Sequence, residues 1–223
     1  MGKITYRVGI VDDDAAKITQ MITMIRLCCN NEDGNAIRPK YAIYNLEPVE
    51  IPLVPSEMDM VDSVINNDLD AIIIDYNLSS QEAIAYTGVS LAKNICSRLY
   101  EFPVFVLTTY QDDLFDHELF DSYLVFDFAR YIGDDMERVE LNSKIIEQVN
   151  KYRIEREARE KELAELIPKA GESSEIDERI IELDTQLEKS IDGRSNITPK
   201  MKRDLTSDNI QALISKIDEL IGK

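Results

Sequence analysis

The stretch that most constrains the fold is AIIIDYN, from Ala71 to Asn77. Three consecutive isoleucines bounded by polar residues predict a short strand that is buried on both faces, as strands of parallel sheets are. Asp75 would stand at the carboxyl end of this strand. Ligands of open α/β sheets bind in the crevice outside the carboxyl ends of the strands. Asp75 is therefore a candidate functional residue, although an aspartate in this place more often serves only a turn.

Two other apolar runs also end in polar residues. The run at residues 4–11 is followed by the three adjacent acids Asp12 to Asp14, and the run PVFVLTT at residues 103–109 ends in two threonines, of which Thr108 is the first. Adjacent carboxylates repel one another, so we expect a divalent metal ion to bind between them and offset the repulsion. Polar residues at two further strand ends favour the functional interpretation of Asp75.

Strands that alternate with helices about five times predict an α/β fold with a doubly wound, five-stranded parallel sheet. Right-handed crossovers would bring the carboxyl ends of strands one, three and four together. The predicted strands are residues 4–11, 41–49, 71–75, 103–109 and 126–132. The predicted helices are residues 15–29 with Asp14 as N-cap, a helix capped by Ser56, residues 89–99, residues 115–123, and a long helix that begins at Met136 and extends as far as Ile167.

The composition divides the chain into residues 1–150 and residues 151–223. Most of the net charge of −18 lies in the first part, which holds 26 acidic and 11 basic residues. Such a charge would repel nucleic acid and anionic membranes, and no stretch is apolar enough to span a bilayer, so we expect neither partner and a cytoplasmic protein. The three cysteines have no metal-ligand spacing, and we assign them no function.

The second part is predicted to be a helical extension. Apolar residues recur there every three or four positions, as in a coiled coil or helical hairpin. Ser174 with Asp177 resembles a capping box before one helix, and a last helix carries Ile210, Leu213, Ile217 and Leu220. Narrow apolar seams need a partner surface, so we expect a protein-interaction segment, with homodimerisation somewhat favoured over purely heteromeric use.

Four segments together resemble the receiver domain of response regulators in two-component signalling. They are IVDDD, IIIDYNL, TGVSLAKNI and FPVFVLTT, and the resemblance covers about residues 4–150. It implies a flavodoxin-like receiver and no enzymatic activity on other substrates. It also implies a partner that donates the phosphoryl group, either a histidine kinase or a phosphotransfer protein.

The resemblance also implies roles for single residues. Asp75 would accept the phosphoryl group, and Thr108 would hydrogen-bond one of its oxygens. Asp12 and Asp13 would hold Mg²⁺ together with Asp75 and the backbone carbonyl of Asn77. Oxygen ligands and water suit this ion, which offsets the charge of the phosphoryl oxygens during transfer.

The chain departs from the receiver pattern at its fifth strand. Receivers usually carry a lysine at the end of that strand, but no lysine lies between Lys93 and Lys144, and Arg130 is the nearby cation. The aromatic switch residue of receivers could correspond to Tyr123, Phe128 or Tyr131. A degenerate receiver that serves as a phosphorylation-independent binding scaffold is therefore an alternative.

A second alternative is a phosphatase of the haloacid dehalogenase type. Asp12 and Asp14 match the first half of that family's DxD signature, and IGDD at residues 132–135 resembles its last acidic motif. Ala16 stands where that family prefers threonine or valine. Asp75 would have no role in such an enzyme, so we favour the receiver.

Overall fold

The structure is a computed structural model that describes residues 2–78, 84–109, 125–191 and 199–204. The helix predicted at residues 115–123, with His117, lies outside these ranges. So does the apolar seam predicted for the last helix.

Five parallel strands form a single sheet with the order β2-β1-β3-β4-β5. This is the strand order of flavodoxin-like doubly wound folds, so the predicted fold class is confirmed. The strands are β1 (Ile4–Val11), β2 (Tyr44–Glu50), β3 (Ala71–Asp75), β4 (Val104–Thr108) and β5 (Val125–Asp127).

The central strand β3 is buried over its whole length, and so is β4. A strand covered on both faces needs apolar side chains at successive positions, and the isoleucine run supplies them. In the register of the sheet Val11 of β1 lies beside Ile74, and Asp75 lies beside Leu107 of β4. The carboxyl ends of β1, β3 and β4 consequently meet at one edge.

Seven α-helices lie in the described residues, and none of them is both long and apolar enough to cross a membrane. Ser56 caps the second helix as predicted, because its hydroxyl accepts a hydrogen bond from the amide of Asp59. The helices are α1 (Ala15–Leu27), α2 (Glu57–Asn66), α3 (Gly88–Arg98), α4 (Phe128–Gly133), α5 (Asp135–Leu166), α6 (Ser174–Ile191) and α7 (Pro199–Asp204), with short 3-10 turns at Pro39–Tyr41 and Ile167–Lys169.

The prediction of a fifth strand at residues 126–132 is wrong for most of its length. Asp127 ends the strand because its carboxylate accepts a hydrogen bond from the amide of Arg130 and so caps α4. Phe128 and Tyr131 are both buried. Their spacing of three residues places them on one face of a helix, which an apolar run alone does not distinguish from a strand.

The second strand begins later than predicted. Pro39 starts a 3-10 turn that includes Tyr41, and the strand β2 runs from Tyr44 to Glu50. Pro48 lies inside β2, opposite Val8 of β1. A proline is tolerated there because β2 forms the edge of the sheet.

Helix α1 is fixed at both ends. At its start the Asp14 carboxylate accepts hydrogen bonds from the amides of Ala16 and Lys17, which confirms the predicted cap. At its end the buried Asn142 side chain donates to the carbonyls of Met24 and Cys28 at 3.1 and 2.8 Å.

The hydroxyl of Tyr131 donates in turn to Oδ1 of Asn142 at 3.1 Å. We call Tyr131, Asn142 and the two carbonyls of α1 the Asn142 network.

The chain divides into two compact units, Met1–Ser97 with Glu101–Tyr152, and Arg98–Tyr100 with Arg153–Lys223. In the second unit the guanidinium of Arg179 on α6 binds the Glu162 carboxylate of α5 with two hydrogen bonds of 2.7 and 2.9 Å. The cap of α6 lies one residue before the predicted Ser174, because Ser173 accepts from the amide of Ile176.

Candidate functional site

Three carboxylates meet at the carboxyl edge of the sheet. Asp12 follows β1, and Asp75 is the last residue of β3. Oxygen atoms of Asp12, Asp13 and Asp75 all lie within 4.8 Å of one another. We call these three residues the acid cluster. The residues Asp12 and Asp75 are buried, at 4% and 2% exposure, and Asp13 is half-buried.

One oxygen of the acid cluster accepts no hydrogen bond from the residues that the structure describes. Oδ1 of Asp12 accepts a hydrogen bond of 2.8 Å from the amide of Asp14, but its Oδ2 is buried without a hydrogen bond. Burial, followed by the charge of Asp75, raises the pKa of Asp12 to about 7. A buried carboxylate oxygen without a partner is costly. A hard divalent cation would satisfy it and offset the repulsion, so these donors fit Mg²⁺.

The third acid of the DDD run serves a different purpose. Asp14 caps α1, and its carboxylate is not part of the acid cluster. The run therefore supplies two acids to the site and one to the helix.

Lys17 is the residue at this site that the sequence analysis missed. Its Nζ lies 3.1 Å from Oδ1 of Asp75 and 5.5 Å from the centre of the Phe128 ring. Burial lowers the pKa of Lys17, but the charges of Asp75 and Asp12 outweigh it, so the pKa is raised. For Asp75, burial raises the pKa of the carboxyl group, and the charge of Lys17 opposes this shift.

A sequence feature could have revealed Lys17. It lies three residues after the cap of α1, in the helical turn that follows the carboxyl end of β1.

Arg130, which the sequence analysis named as the nearby cation, does not take this place. It lies on α4 with 64% of its side chain exposed, and its guanidinium pairs with Glu137 at 3.9 Å.

Thr108 and Asn77 are the two other predicted site residues. Thr108 is the buried last residue of β4, one position beyond the residue that pairs with Asp75. The amide of Asn77 donates a hydrogen bond of 3.0 Å to Oδ2 of Asp75, and its side chain is exposed. The roles implied for the Thr108 hydroxyl and the Asn77 carbonyl remain predictions.

The three candidates for the aromatic switch lie in different environments. Phe128 is buried beside Lys17, and Tyr131 belongs to the Asn142 network. Tyr123 lies outside the described residues.

Gly88 fixes the backbone that follows Asp75. Its amide, at the start of α3, donates to the carbonyl of Tyr76 at 3.0 Å. A Cβ atom at this position would lie 1.9 Å from the carbonyl oxygen of Asp75, which is closer than any contact allows. Only glycine lets α3 approach the end of β3 this closely.

The sequence matches no protein-family model and no curated protein. The structure is similar to the anti-anti-sigma factor PhyR from Bartonella quintana, with 12% identity, a TM-score of 0.44, and coverage of 68% of this chain and 52% of that one. It is similar to the response regulator PhyR from Brucella abortus, with 11% identity, a TM-score of 0.44, and coverage of 69% and 53%.

A third similar structure is a two-component transcriptional regulator AraC from Clostridium phytofermentans. Its identity is 14%, its TM-score is 0.43, and the match covers 67% of this chain and 98% of that one. The chain spans about half the length of the two PhyR proteins.

Proposed function

We propose that this chain is a response-regulator-like signalling protein whose Asp75 accepts a phosphoryl group in the presence of Mg²⁺. The observation that carries the proposal is the buried Asp75 carboxylate beside two further acids, one of which has a buried oxygen without a partner. Asp12, Asp13 and Asp75 would hold the ion, with the carbonyl of Asn77 as the ligand that the resemblance implies.

In the proposed reaction an oxygen of Asp75 attacks the phosphorus of a phosphohistidine or a small phosphodonor. A P–O bond to Asp75 forms while the bond to the donor breaks, and the donor leaves with the electron pair. Asp12, Asp13 and Asp75 would hold the ion, which would supply positive charge beside the phosphoryl oxygens. The Asn77 amide holds one carboxylate oxygen of Asp75 in place, and the Thr108 hydroxyl would donate to a phosphoryl oxygen.

The test is incubation of the full chain with acetyl phosphate and Mg²⁺, followed by measurement of the intact mass. We expect one added phosphoryl group in the wild type and none in Asp75→Asn. Asp68→Asn is the matched control, because the Asp68 side chain is fully exposed and asparagine tolerates its positive φ of 51°. An adduct that persists in Asp75→Asn would refute the assignment.

The phosphatase alternative receives no support from its own acids. Asp14 caps α1, and Asp134 caps α5 by accepting hydrogen bonds from the amides of Met136 and Glu137. Asp135 pairs with Arg138. Beryllofluoride bound at Asp75 rather than at Asp12 would separate the two functions. The scaffold alternative rested on a missing lysine, and Lys17 supplies a cation at Asp75.

We further propose that a histidine kinase or phosphotransfer protein supplies the phosphoryl group and that the C-terminal helices relay the signal to a protein partner in the cytoplasm. Exposed apolar side chains in the second unit support this output, namely Ile154, Ile167 and Met201 at 65%, 56% and 54% exposure. Neither nucleic acid nor a membrane is proposed as a partner.

Light scattering of the full chain with and without beryllofluoride tests the output. We expect a homodimer that Ile154→Glu converts to a monomer, with Glu157→Gln on the same helix as the control. A wild-type monomer that retains no partner in a pull-down under either condition would refute the proposed output.

A further inference from the structure

Lys17 is the cation that the protein places beside Asp75. Its ammonium lies 3.1 Å from Oδ1 of Asp75, whose side chain is only 3% exposed. The other oxygen of Asp75 accepts from the Asn77 amide. Both oxygens of Asp75 therefore have partners, whereas Oδ2 of Asp12 has no hydrogen bond within residues 2–78, 84–109, 125–191 and 199–204. In this arrangement the positive charge next to the acid cluster comes from the protein itself.

The protein holds Lys17 in this place. The amide of Lys17 donates to the Asp14 carboxylate, so the first turn of α1 sets the origin of the side chain. The ammonium nitrogen lies over the buried Phe128 ring, 5.5 Å from its centre, and only 22% of the side chain is exposed. The face of an aromatic ring attracts a cation, so Phe128 helps to hold the charged end of Lys17 beside Asp75.

Few other cations could take this role. Arg130 is turned to solvent and pairs with Glu137. The segments at residues 79–83 and 110–124, which follow β3 and β4 along the chain, contain no lysine or arginine in their sequence.

We propose that Lys17 is a tethered counter-ion with two functions at Asp75. In the resting protein it competes with the divalent metal ion for Asp75, and after phosphoryl transfer it donates to an oxygen of the phosphoryl group. The proposal rests on the proposed function of Asp75. It assigns to the start of α1 the positive charge that receivers usually place at the end of strand five.

The two functions have opposite consequences for a variant without the charge. Removal of the ammonium leaves Asp75 more negative, so a metal ion binds more tightly. It also removes a donor from the phosphoryl oxygens, so transfer slows and the acyl phosphate loses a partner. A side chain with a purely structural role would not improve metal binding when it is removed.

The test compares Lys17→Met, which keeps the length of the side chain, with Lys17→Arg, which keeps its charge. Lys3→Met is the matched control, because Lys3 is exposed and its replacement changes the net charge equally. Isothermal titration with Mg²⁺ and the rate of adduct formation from acetyl phosphate at saturating Mg²⁺ are the two measurements. Lys17→Gln provides a second uncharged variant if Lys17→Met folds poorly.

For Lys17→Met we expect about tenfold tighter Mg²⁺ binding, because the ammonium no longer competes with the ion for Asp75 at this partly buried site. We expect the rate of transfer to fall by about tenfold or more, because the phosphoryl oxygens lose a positively charged donor. Lys17→Arg should retain a Mg²⁺ affinity near that of the wild type. Unchanged or weaker Mg²⁺ binding in Lys17→Met would overturn the competition. An unchanged rate would overturn the phosphoryl contact.

These outcomes are separable from the failure of the proposed function. If the wild type forms no adduct but Lys17→Met still binds Mg²⁺ more tightly, the phosphoacceptor proposal fails and the competition stands. If the wild type forms the adduct and Lys17→Met matches it in both measurements, Asp75 remains the phosphoacceptor and Lys17 has neither function.

Discussion

Two of the buried polar groups in the first unit have opposite hydrogen-bonding patterns. In the Asn142 network the side-chain amide uses its oxygen and its nitrogen in hydrogen bonds to Tyr131, Met24 and Cys28. In the acid cluster like charges lie within 4.8 Å of one another, and Oδ2 of Asp12 is buried without a partner.

The difference distinguishes a group that serves stability from a group that serves binding. Buried polar atoms in proteins are nearly always hydrogen-bonded, because an unpaired one costs free energy. Such exceptions are concentrated at functional sites, where a ligand completes the bonding. The Asn142 network should therefore stabilise the fold as it stands, and the acid cluster should destabilise it until a cation binds.

The largest effect is expected from breaking the network. Asn142→Leu keeps the size of the side chain but leaves the Tyr131 hydroxyl and the carbonyls of Met24 and Cys28 without their partner. Each buried group without a partner costs about 1–3 kcal/mol. We expect the free energy of unfolding, measured with urea, to fall by about 3 kcal/mol or more.

Tyr131→Phe is the graded control for this change, because it removes only one of the three hydrogen bonds. It should lower the free energy of unfolding by about 1–2 kcal/mol. Equal losses in the two variants would contradict the assignment of Asn142 as the centre of the network.

The next largest effect should come from Gly88→Ala, which tests whether the backbone at Asp75 tolerates a side chain at position 88. The added methyl would lie 1.9 Å from the carbonyl oxygen of Asp75, so α3 or the end of β3 must shift. We expect a loss of about 1–3 kcal/mol in urea unfolding and a slower transfer to Asp75.

Gly133→Ala is the control for Gly88→Ala, because a Cβ atom there meets nothing within 4 Å. It should change the free energy of unfolding by less than about 0.5 kcal/mol. A Gly88→Ala variant with wild-type stability and transfer rate would show that the site tolerates movement of α3.

Asp12→Asn should have the opposite sign to Asn142→Leu. With EDTA present, removal of one buried charge from the acid cluster should raise the free energy of unfolding by about 1 kcal/mol. Saturating Mg²⁺ should stabilise the wild type but not the variant, because only a bound ligand adds stability. Asp14→Asn is the control, since asparagine caps helices equally well and Asp14 is outside the cluster.

The same unfolding measurements, in EDTA and in Mg²⁺, decide whether the acid cluster binds a metal ion. A variant Asp12→Asn that is less stable than the wild type in EDTA, with an unchanged response to Mg²⁺, would place the acids in a purely structural role.

The smallest effect is expected at an ion pair that belongs to neither group. The guanidinium of Arg38 lies 2.7 Å from the Glu140 carboxylate, and both side chains are more than a third exposed. Such pairs contribute less than about 1 kcal/mol. Arg38→Met should lower the free energy of unfolding by about 1 kcal/mol or less. High salt should remove only part of the difference, because the guanidinium also donates to the hydroxyl of buried Ser143 at 2.9 Å. A loss as large as that of Asn142→Leu would show that an exposed ion pair stabilises this fold as much as a buried hydrogen-bond network.

The sequence was sufficient to predict the sheet and the grouping of the acids. The three isoleucines of β3 mark a strand buried on both faces, and parallel strands bring their carboxyl ends to one edge. Asp12 and Asp75 could therefore be placed together although 63 positions separate them in the chain. The cap at Asp14 followed from its residue type and its place before an apolar helical pattern.

The contacts across the sheet edge could not be predicted in the same way. The start of α1 places Lys17 near this edge, but its hydrogen bond to Asp75, 58 positions along the chain, is a tertiary contact. Asn142 looks like an ordinary polar residue of a charged helix, and only tertiary packing places it against the end of α1. The length of the fifth strand was predicted wrongly because Phe128 and Tyr131 could be buried equally well in a strand or in a helix.

Pro48 has a consequence for how the molecule behaves in concentrated solution. The amide of Ile51 donates to Ile10 of β1, and alternate residues of a strand point their amides the same way, so the nitrogen of Pro48 faces away from β1. The outer border of the sheet thus lacks one donor in the middle of β2. A second copy approaching this border could not extend the ladder, which protects the chain against fibril-like stacking.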